Sequence, residues 1–130
     1  MHQLQVKTNR RCQLLDVTGD VADLVGEYGA DAAAVLIHVP HTTAGILINE
    51  NADPSVPSDI LKHLEEMVPQ SGGYQHSEGN SDAHIKSTLT GVSLLVPITN
   101  GKMALGTWQG IFFAEFDGPR TRKLFVSFLS

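Results

Sequence analysis

The segment 74–91, YQHSEGNSDAHIKSTLTG, carries the side chains best suited to chemistry. It places His76 and His84 at the two ends of nine positions that also contain Glu78, Asn80 and Asp82. A buried polar group costs free energy unless it has a hydrogen-bond partner, so this composition is untypical of a core segment. We therefore interpret the segment as the edge of a chemical site.

A third histidine, His41, follows Pro40, which holds its backbone at a bend. Three neutral imidazoles with a fourth position open are a sufficient ligand set for a catalytic divalent metal. We predict metal ligation by His41, His76 and His84. The candidate acids and bases are Glu50, Glu78 and Asp82, and the last two could also ligate the metal or orient an imidazole. The alternative is that the histidines are polar surface residues or helix caps.

Two arginines near the end of the chain are candidates for binding an anionic group. Arg120 and Arg122 alternate, so on an extended chain they point the same way, which suits a forked grip on phosphate or carboxylate. The alternative is a solvated turn with surface ion pairs to neighbouring acids. The residues predicted to orient a polar substrate are Asn49, Asn80 and Gln109.

Several other reactive or bulky residues are assigned to packing. His38 lies inside an apolar run and is predicted to be a hydrogen-bonded core or interface histidine. Trp108 is predicted to pack in the core or at an interface, and Cys12 to be an unreactive thiol. No G-x-S-x-G motif is present, which argues against a serine hydrolase.

The elements that must position these residues follow from hydrophobic periodicity and turn residues. The predicted strands are 2–7, 12–17, 32–39, 45–49, 92–98, 102–108, 109–116 and 123–129. A hairpin over 8–10 is predicted to join the first two strands, and Asn100-Gly101 to join two later ones. The predicted N-caps of three helices are Thr18, Asp53 (followed by Pro54) and residue 81 or 82, and the helices are predicted to end near residues 28, 68 and 89. This order predicts an α+β fold with a sheet-rich body, two main helices and a short third helix.

Length and composition limit the protein to a few classes. The chain has 130 residues, enough for one domain over 1–130, with 42% hydrophobic residues and a net charge of −5. The scattered nine Lys and Arg argue against a nucleic-acid partner, and no apolar run is long enough to predict a membrane span. A single cysteine excludes an intrachain disulfide. We predict a cytoplasmic protein with no membrane partner.

The sequence closely resembles the YjbQ-like family, also called secondary thiamine-phosphate synthase-type, over almost its whole length. The resemblance is carried by HTTAGILINENADPSV (41–56), YQH (74–76), GNSDAHIKSTLTG (79–91) and LGTWQGIFFAEFDGPRTR (105–122). The loop between the second and third of these segments is a few residues shorter than is usual in the family.

The resemblance implies a sandwich-like or barrel-like α+β body, a homotrimer, and a polar cleft in which His41, His76 and His84 hold a metal ion. It also implies thiamine-phosphate synthesis, in which a hydroxymethylpyrimidine diphosphate joins a thiazole phosphate with loss of diphosphate. Imidazole ligands favour zinc over magnesium, which prefers oxygen ligands. The same ligands suit hydrolysis of a phosphoester or amide, and a non-catalytic module that binds a small anionic metabolite is the third hypothesis.

Overall fold

Eight strands and three helices make up the computed structural model, which describes residues 1–130. The strands are β1 (His2–Lys7), β2 (Gln13–Asp16), β3 (Ala34–His38), β4 (Ala44–Glu50), β5 (Ser93–Thr99), β6 (Lys102–Met103), β7 (Gln109–Glu115) and β8 (Thr121–Leu129). The helices are α1 (Thr18–Tyr28), α2 (Ser55–Met67) and α3 (Ser81–Thr90). These elements confirm the predicted α+β class.

The strands form two antiparallel sheets. The large sheet has five strands in the order β1-β8-β3-β5-β6, and the small sheet has three in the order β2-β7-β4. The predicted hairpin over 8–10 is therefore wrong, because β1 pairs with β8 and β2 pairs with β7. The chain crosses between the sheets at Thr8, whose backbone N–H donates to the Arg120 carbonyl oxygen at 2.9 Å.

Alternating side chains give the small sheet two packed faces. One face meets the large sheet and α1 in the main core, which includes Val21, Ile37, Ile46, Phe113 and Leu124. The other face packs on α2 and α3 in a second cluster around Ala83, Ala114 and Phe116. The outer face of the large sheet has no helix packed against it. In contrast, both faces of the small sheet are covered, and α3 packs on one of them.

The predicted helix ends shift by one or two residues. Thr18 does not cap α1; Val17 takes that position, and the Thr18 hydroxyl instead accepts the backbone N–H of Ile111 at 2.8 Å. The carboxylate of Asp53 accepts the Ser55 N–H at 2.9 Å, so α2 begins just after Pro54. Three apolar residues of α2, Ile60, Leu61 and Leu64, are half-buried, whereas Met67 is exposed.

The Asn100-Gly101 hairpin is confirmed, and both residues have the positive φ values, 54° and 74°, that such a turn requires. The second strand of this hairpin is shorter than predicted, because β6 ends at Met103. The residues after β6 form a turn, which is closed by a hydrogen bond from the Gly106 N–H to Gln109 Oε1 at 2.8 Å.

Gly45 on β4 allows the C-terminal end of α3 to approach the small sheet. A Cβ at this position would overlap Thr90 Oγ1 and lie 2.7 Å from the Gly91 carbonyl oxygen. The same oxygen accepts the Ile46 N–H at 3.1 Å, which ties the end of the helix to β4.

We expect Gly45→Ala to lower the free energy of unfolding by about 1–3 kcal/mol, because a backbone oxygen cannot move aside cheaply. Urea denaturation would measure the change. Gly26→Ala is the matched control: a Cβ there meets nothing within 4 Å, so the same substitution inside α1 should leave stability unchanged or raise it. Equal losses in both variants would contradict this account of Gly45.

Candidate functional site

Two adjoining clefts share His84 as a common wall. The first, which we call the His41 cleft, has a volume of about 470 Å³ and is lined by His41, Thr42, His84, Ser87, Thr88, Gly91 and Val92. The second, the His76 cleft, has a volume of about 380 Å³ and is lined by Tyr74, Gln75, His76, Ser81, His84 and Ile85. The rings of His76 and His84 lie edge to face with centroids 5.2 Å apart. His84 therefore lies between His41 and His76, but no three of the His, Cys, Asp and Glu side chains are close enough to hold one metal ion together in this structure.

His84 is half-buried on α3, and neither of its ring nitrogens has a hydrogen-bond partner in the chain. The helix is fixed on β4 by Ser87, whose hydroxyl donates to the Ala44 carbonyl oxygen at 2.7 Å. This contact and the close approach at Gly45 determine where the imidazole stands.

His41 is held by contacts on both sides of its loop. Its Nε2 accepts the backbone N–H of Lys123 at 2.9 Å. Two residues later, Thr43 accepts hydrogen bonds from Arg122 Nη2 at its carbonyl oxygen (3.3 Å) and its hydroxyl (2.9 Å). Burial, together with the positive charge of Arg122, lowers the pKa of His41. A ring that accepts a hydrogen bond at Nε2 carries no proton there and is neutral.

Asp82, one of the predicted acids or bases, lines neither cleft, and its carboxylate is engaged by two cations. It faces away from His84, because two residues on a helix differ by about 200°. Its fully buried carboxylate binds Arg11 Nη1 and Nη2 at 3.0 and 2.9 Å and Lys86 Nζ at 2.9 Å. Burial opposes ionisation, but the hydrogen bonds from Arg11 and Lys86 hold the pKa of Asp82 below its usual value. The group fixes α3 rather than exchanging protons.

Of the two other predicted acids, only Glu78 is near a histidine. Its Oε2 lies 3.7 Å from His76 Nε2, and the side chain is 72% exposed. Glu50 pairs with Gln109 at the far end of β4 and β7. Six residues separate that end from Ala44, a span of about 20 Å.

Asn49 and Gln109 lie at the same far end and have local hydrogen bonds. Asn49 Oδ1 accepts the Glu50 N–H at 2.8 Å, and Gln109 Oε1 accepts the Gly106 N–H at the same distance. Within one chain these residues and the histidines cannot contact the same small ligand. Asn80 is closer: it precedes α3, donates from Nδ2 to Asp117 Oδ2 at 2.9 Å, and has a buried Oδ1 without a partner.

The two arginines do not form the predicted fork. Arg122 faces inward between the sheets, where Nε donates to Glu115 Oε1 at 2.8 Å and Nη2 donates to Oε2. Arg120 lies in the exposed turn before β8, with Nε on the Asp117 carbonyl oxygen at 2.7 Å and Nη2 on its carboxylate at 3.1 Å. Alternation predicts a shared direction only on a regular strand, and Arg120 precedes the strand.

Glu115 is the residue that sequence reasoning missed. It is fully buried and accepts hydrogen bonds from Arg122, from Thr8 Oγ1 at 2.8 Å, and from the N–H groups of Phe116 and Asp117, each at 3.1 Å. Burial favours the neutral acid, but Arg122 and these donors lower the pKa of Glu115. The sequence did contain a signal for its burial: Glu115 lies two residues after Phe113 on β7, which is an inward position in an apolar strand.

His38 and Trp108, which were predicted to pack in the core or at an interface, both lie outside the core of the chain. His38 is hydrogen-bonded as predicted, with Nδ1 2.5 Å from Ser93 Oγ, but it lies on the outer face of the large sheet and not in the core. Trp108 is 62% exposed, so within one chain it is not a core residue.

No helix is long and apolar enough to span a membrane.

Comparison with known proteins identifies the family. The family model described as UPF0047 protein YjbQ-like matches residues 2–130. A UPF0047 protein of Methanocaldococcus jannaschii is 51% identical over 129 residues, covering 99% of this chain and 94% of the relative. YugU, a UPF0047 protein of Bacillus subtilis, is 48% identical over 97% of this chain and 96% of its own length.

Solved structures agree with these sequence matches. A crystal structure of a YjbQ/UPF0047 family protein from Clostridium acetobutylicum superposes with a TM-score of 0.96 at 50% identity, covering 99% of this chain and 100% of that chain. A hypothetical protein from Aeropyrum pernix superposes with a TM-score of 0.94 at 38% identity, covering 99% and 97% of the two chains. The protein described here belongs to the YjbQ-like UPF0047 family.

Proposed function

We propose that this protein is a metal-dependent enzyme that acts on a small phosphorylated metabolite, with thiamine-phosphate synthase as the candidate activity. The observation that supports the proposal best is the position of His84 between two clefts, with His41 lining one and His76 lining the other. Because His84 is shared, ligands in both clefts would meet at the same imidazole. That arrangement suits the joining of two substrates.

The histidines fit a zinc-type ion in part. His76 and His84 stand edge to face 5.2 Å apart, and Glu78 Oε2 lies 3.7 Å from His76 Nε2, within ion-pair range but beyond hydrogen-bond distance. His41, the third predicted ligand, has its Nε2 engaged by Lys123. When bound, zinc supplies positive charge that stabilises a phosphate oxygen as it leaves.

The walls of the two clefts differ in chemistry. The His76 cleft includes Tyr74 and Ile85, which offer apolar surface to a flat heteroaromatic ring. The His41 cleft is lined mainly by hydroxyl and imidazole groups, including Thr42 and Thr88, which suit a phosphate. We propose that a heteroaromatic substrate binds in the first cleft and a phosphate group of the second substrate in the other, with Glu78 as the acid or base.

Hydrolysis of a phosphoester or amide is the second candidate. It is favoured by the pairing of Arg122 with Glu115 and of Arg120 with Asp117. Neither guanidinium is free to neutralise a departing diphosphate, which carries more charge than a single phosphate.

A two-substrate assay distinguishes these activities. Protein loaded with zinc is incubated with hydroxymethylpyrimidine diphosphate and thiazole phosphate, together or separately, and thiamine phosphate and released phosphates are measured. Product that requires both substrates and is lost in His76→Ala supports a synthase. Phosphate release from a single phosphoester, also lost in His76→Ala, supports the hydrolase. Tight binding without turnover of any substrate contradicts both and favours a non-catalytic module.

We also propose that the protein forms a homotrimer in the cytoplasm. The outer face of the large sheet carries Leu36, Leu95 and Phe125 on three neighbouring strands, with Leu95 65% exposed. Exposed contiguous apolar surface of this kind usually marks an interface. The face borders Lys123, whose backbone contacts His41, so a second copy would cover it beside the site. The single, unpaired Cys12 is compatible with a reducing compartment.

Leu95→Glu should dissociate such an assembly, because an interface would bury the new charge unpaired. Light scattering coupled to gel filtration is expected to give three times the 14.0 kDa chain mass for the parent and a single chain mass for the variant. Leu89→Glu is the matched control, since Leu89 is 55% exposed on α3, away from this face. A monomeric parent protein would refute the trimer.

A further inference from the structure

The hydrogen bond made by His41 determines where its ring proton lies. Nε2 accepts the backbone N–H of Lys123 at 2.9 Å, so Nε2 must carry a lone pair. A neutral imidazole has one N–H and one acceptor nitrogen. The proton of neutral His41 is therefore on Nδ1.

This tautomer conflicts with metal ligation by the same ring. Binding a metal through Nδ1 would move the proton to Nε2, where it would point at the Lys123 N–H. Binding through Nε2 would displace the Lys123 contact. His41 can ligate a metal or keep this hydrogen bond, but it cannot do both.

The surroundings of His41 offer donors and few acceptors. The backbone N–H groups of His41, Thr42 and Thr43 donate to no acceptor within the chain. These N–H groups are donors without a partner in the chain, beside the cleft that His41 and Thr42 line. Within the same cleft, the hydroxyl of Thr42 also has no partner in the chain, and neither does His41 Nδ1.

The charges nearby favour an anion as well. Arg122 and Lys123 both act on His41 as positive charges, and Glu115 is the one negative charge that opposes them. Glu115 and Arg122 form an ion pair, so Lys123 is the uncompensated charge next to His41. A neutral donor beside a positive charge can bind an oxyanion without itself being protonated.

We propose that the His41 cleft is an oxyanion site, in which His41 donates from Nδ1–H to a phosphate-type oxygen of the substrate instead of acting as the third metal ligand. The assignment of that oxyanion to a substrate rests on the proposed function, whereas the donor role of His41 does not. The metal, in this arrangement, is held by His76 and His84. The anionic group is held here and not by the two paired arginines.

Binding of inorganic phosphate to the metal-free protein tests the donor role directly. Calorimetric titration should show affinity falling about tenfold or more in His41→Ala, the loss of a hydrogen bond to a charged group. His41→Gln should stay within about threefold of the parent, because the amide can accept from Lys123 and donate to phosphate. His63→Gln, on the exposed side of α2, is the control and should change nothing. Absence of phosphate binding to the parent, or equal loss in the Gln variant, overturns the proposal.

Zinc affinity, measured by competition with a chelator, tests the other half. His41→Gln should retain affinity within about threefold, while His84→Gln should lose about 100-fold or more, as expected for a ligand. Equal losses would make His41 a metal ligand and overturn the proposal. Long-range nitrogen NMR of the imidazole adds a readout that needs no binding: a proton found on Nε2 of His41 refutes the tautomer. If no variant or parent binds zinc, the proposed enzyme function fails, while the phosphate titration still decides the role of His41.

Discussion

His84→Ala is expected to abolish metal binding while the protein stays folded. The imidazole is the only side chain that lines both clefts, and neither of its nitrogens contributes a hydrogen bond to the fold. Elemental analysis of the purified protein should change from about one zinc ion per chain to almost none. Circular dichroism and urea denaturation should remain close to the parent, since the ring is only half-buried.

His63→Ala is the appropriate control for this experiment, because His63 is an exposed histidine on α2 that lines neither cleft. It removes one imidazole from the protein surface and should leave the metal content unchanged. If the zinc content of His84→Ala equals that of the parent, the metal binds elsewhere in the protein. A parent protein that contains no metal and takes up no added zinc would refute the metal-dependent mechanism.

Glu115→Ala is expected to cause the largest loss of stability, about 3–5 kcal/mol, because it leaves the buried guanidinium of Arg122 without a counter-charge. The substitution also removes the hydrogen-bond acceptor of Thr8 Oγ1 and of two backbone N–H groups. Denaturation in urea at pH 7 would measure it. Glu78→Ala, at an exposed carboxylate, should change the free energy of unfolding by less than about 0.5 kcal/mol.

The stabilising effect of Glu115 should depend on pH in a definite direction. Because its pKa is lowered in the folded protein, it stabilises the fold above the usual value of 4.5 and this contribution is lost as the pH falls through the lower, folded value. The difference between the parent and Glu115→Ala should therefore be constant near neutrality and shrink in acid. A difference that grew as the pH fell would contradict the ion pair as its source.

Glu115 and Arg122 also bear on the site, through Thr43. The Arg122 guanidinium holds the Thr43 carbonyl and hydroxyl oxygens, and the next residue, Lys123, holds His41. Loosening the pair should therefore disturb His41 as well as the core. A buried ion pair of this kind adds little net stability over apolar residues of the same size, so its value here lies in fixing the loop.

Local patterns in the sequence were sufficient to predict the fold class and much of the secondary structure of this protein. Periodicity and turn residues predicted the α+β class, the span of α1, the Asn100-Gly101 turn and most strand positions, because these depend on interactions between residues close in the chain. The segments around the histidines likewise predicted the family, which the comparisons show. The clustering of His76 with His84 also followed from their separation by one short loop.

Pairing between distant segments had to come from the tertiary structure. Only the folded chain shows that β1 and β2 belong to different sheets, that Asp82 is neutralised by Arg11, and that Arg122 binds Glu115. It also shows that Asn49, Glu50 and Gln109 lie at the opposite end of the small sheet from the histidines. The physical reason is that the sequence alone does not show whether a charged residue contacts solvent, a substrate or a buried counter-charge. The counter-charge that decides is distant in the chain, 71 residues away for Arg11 and Asp82.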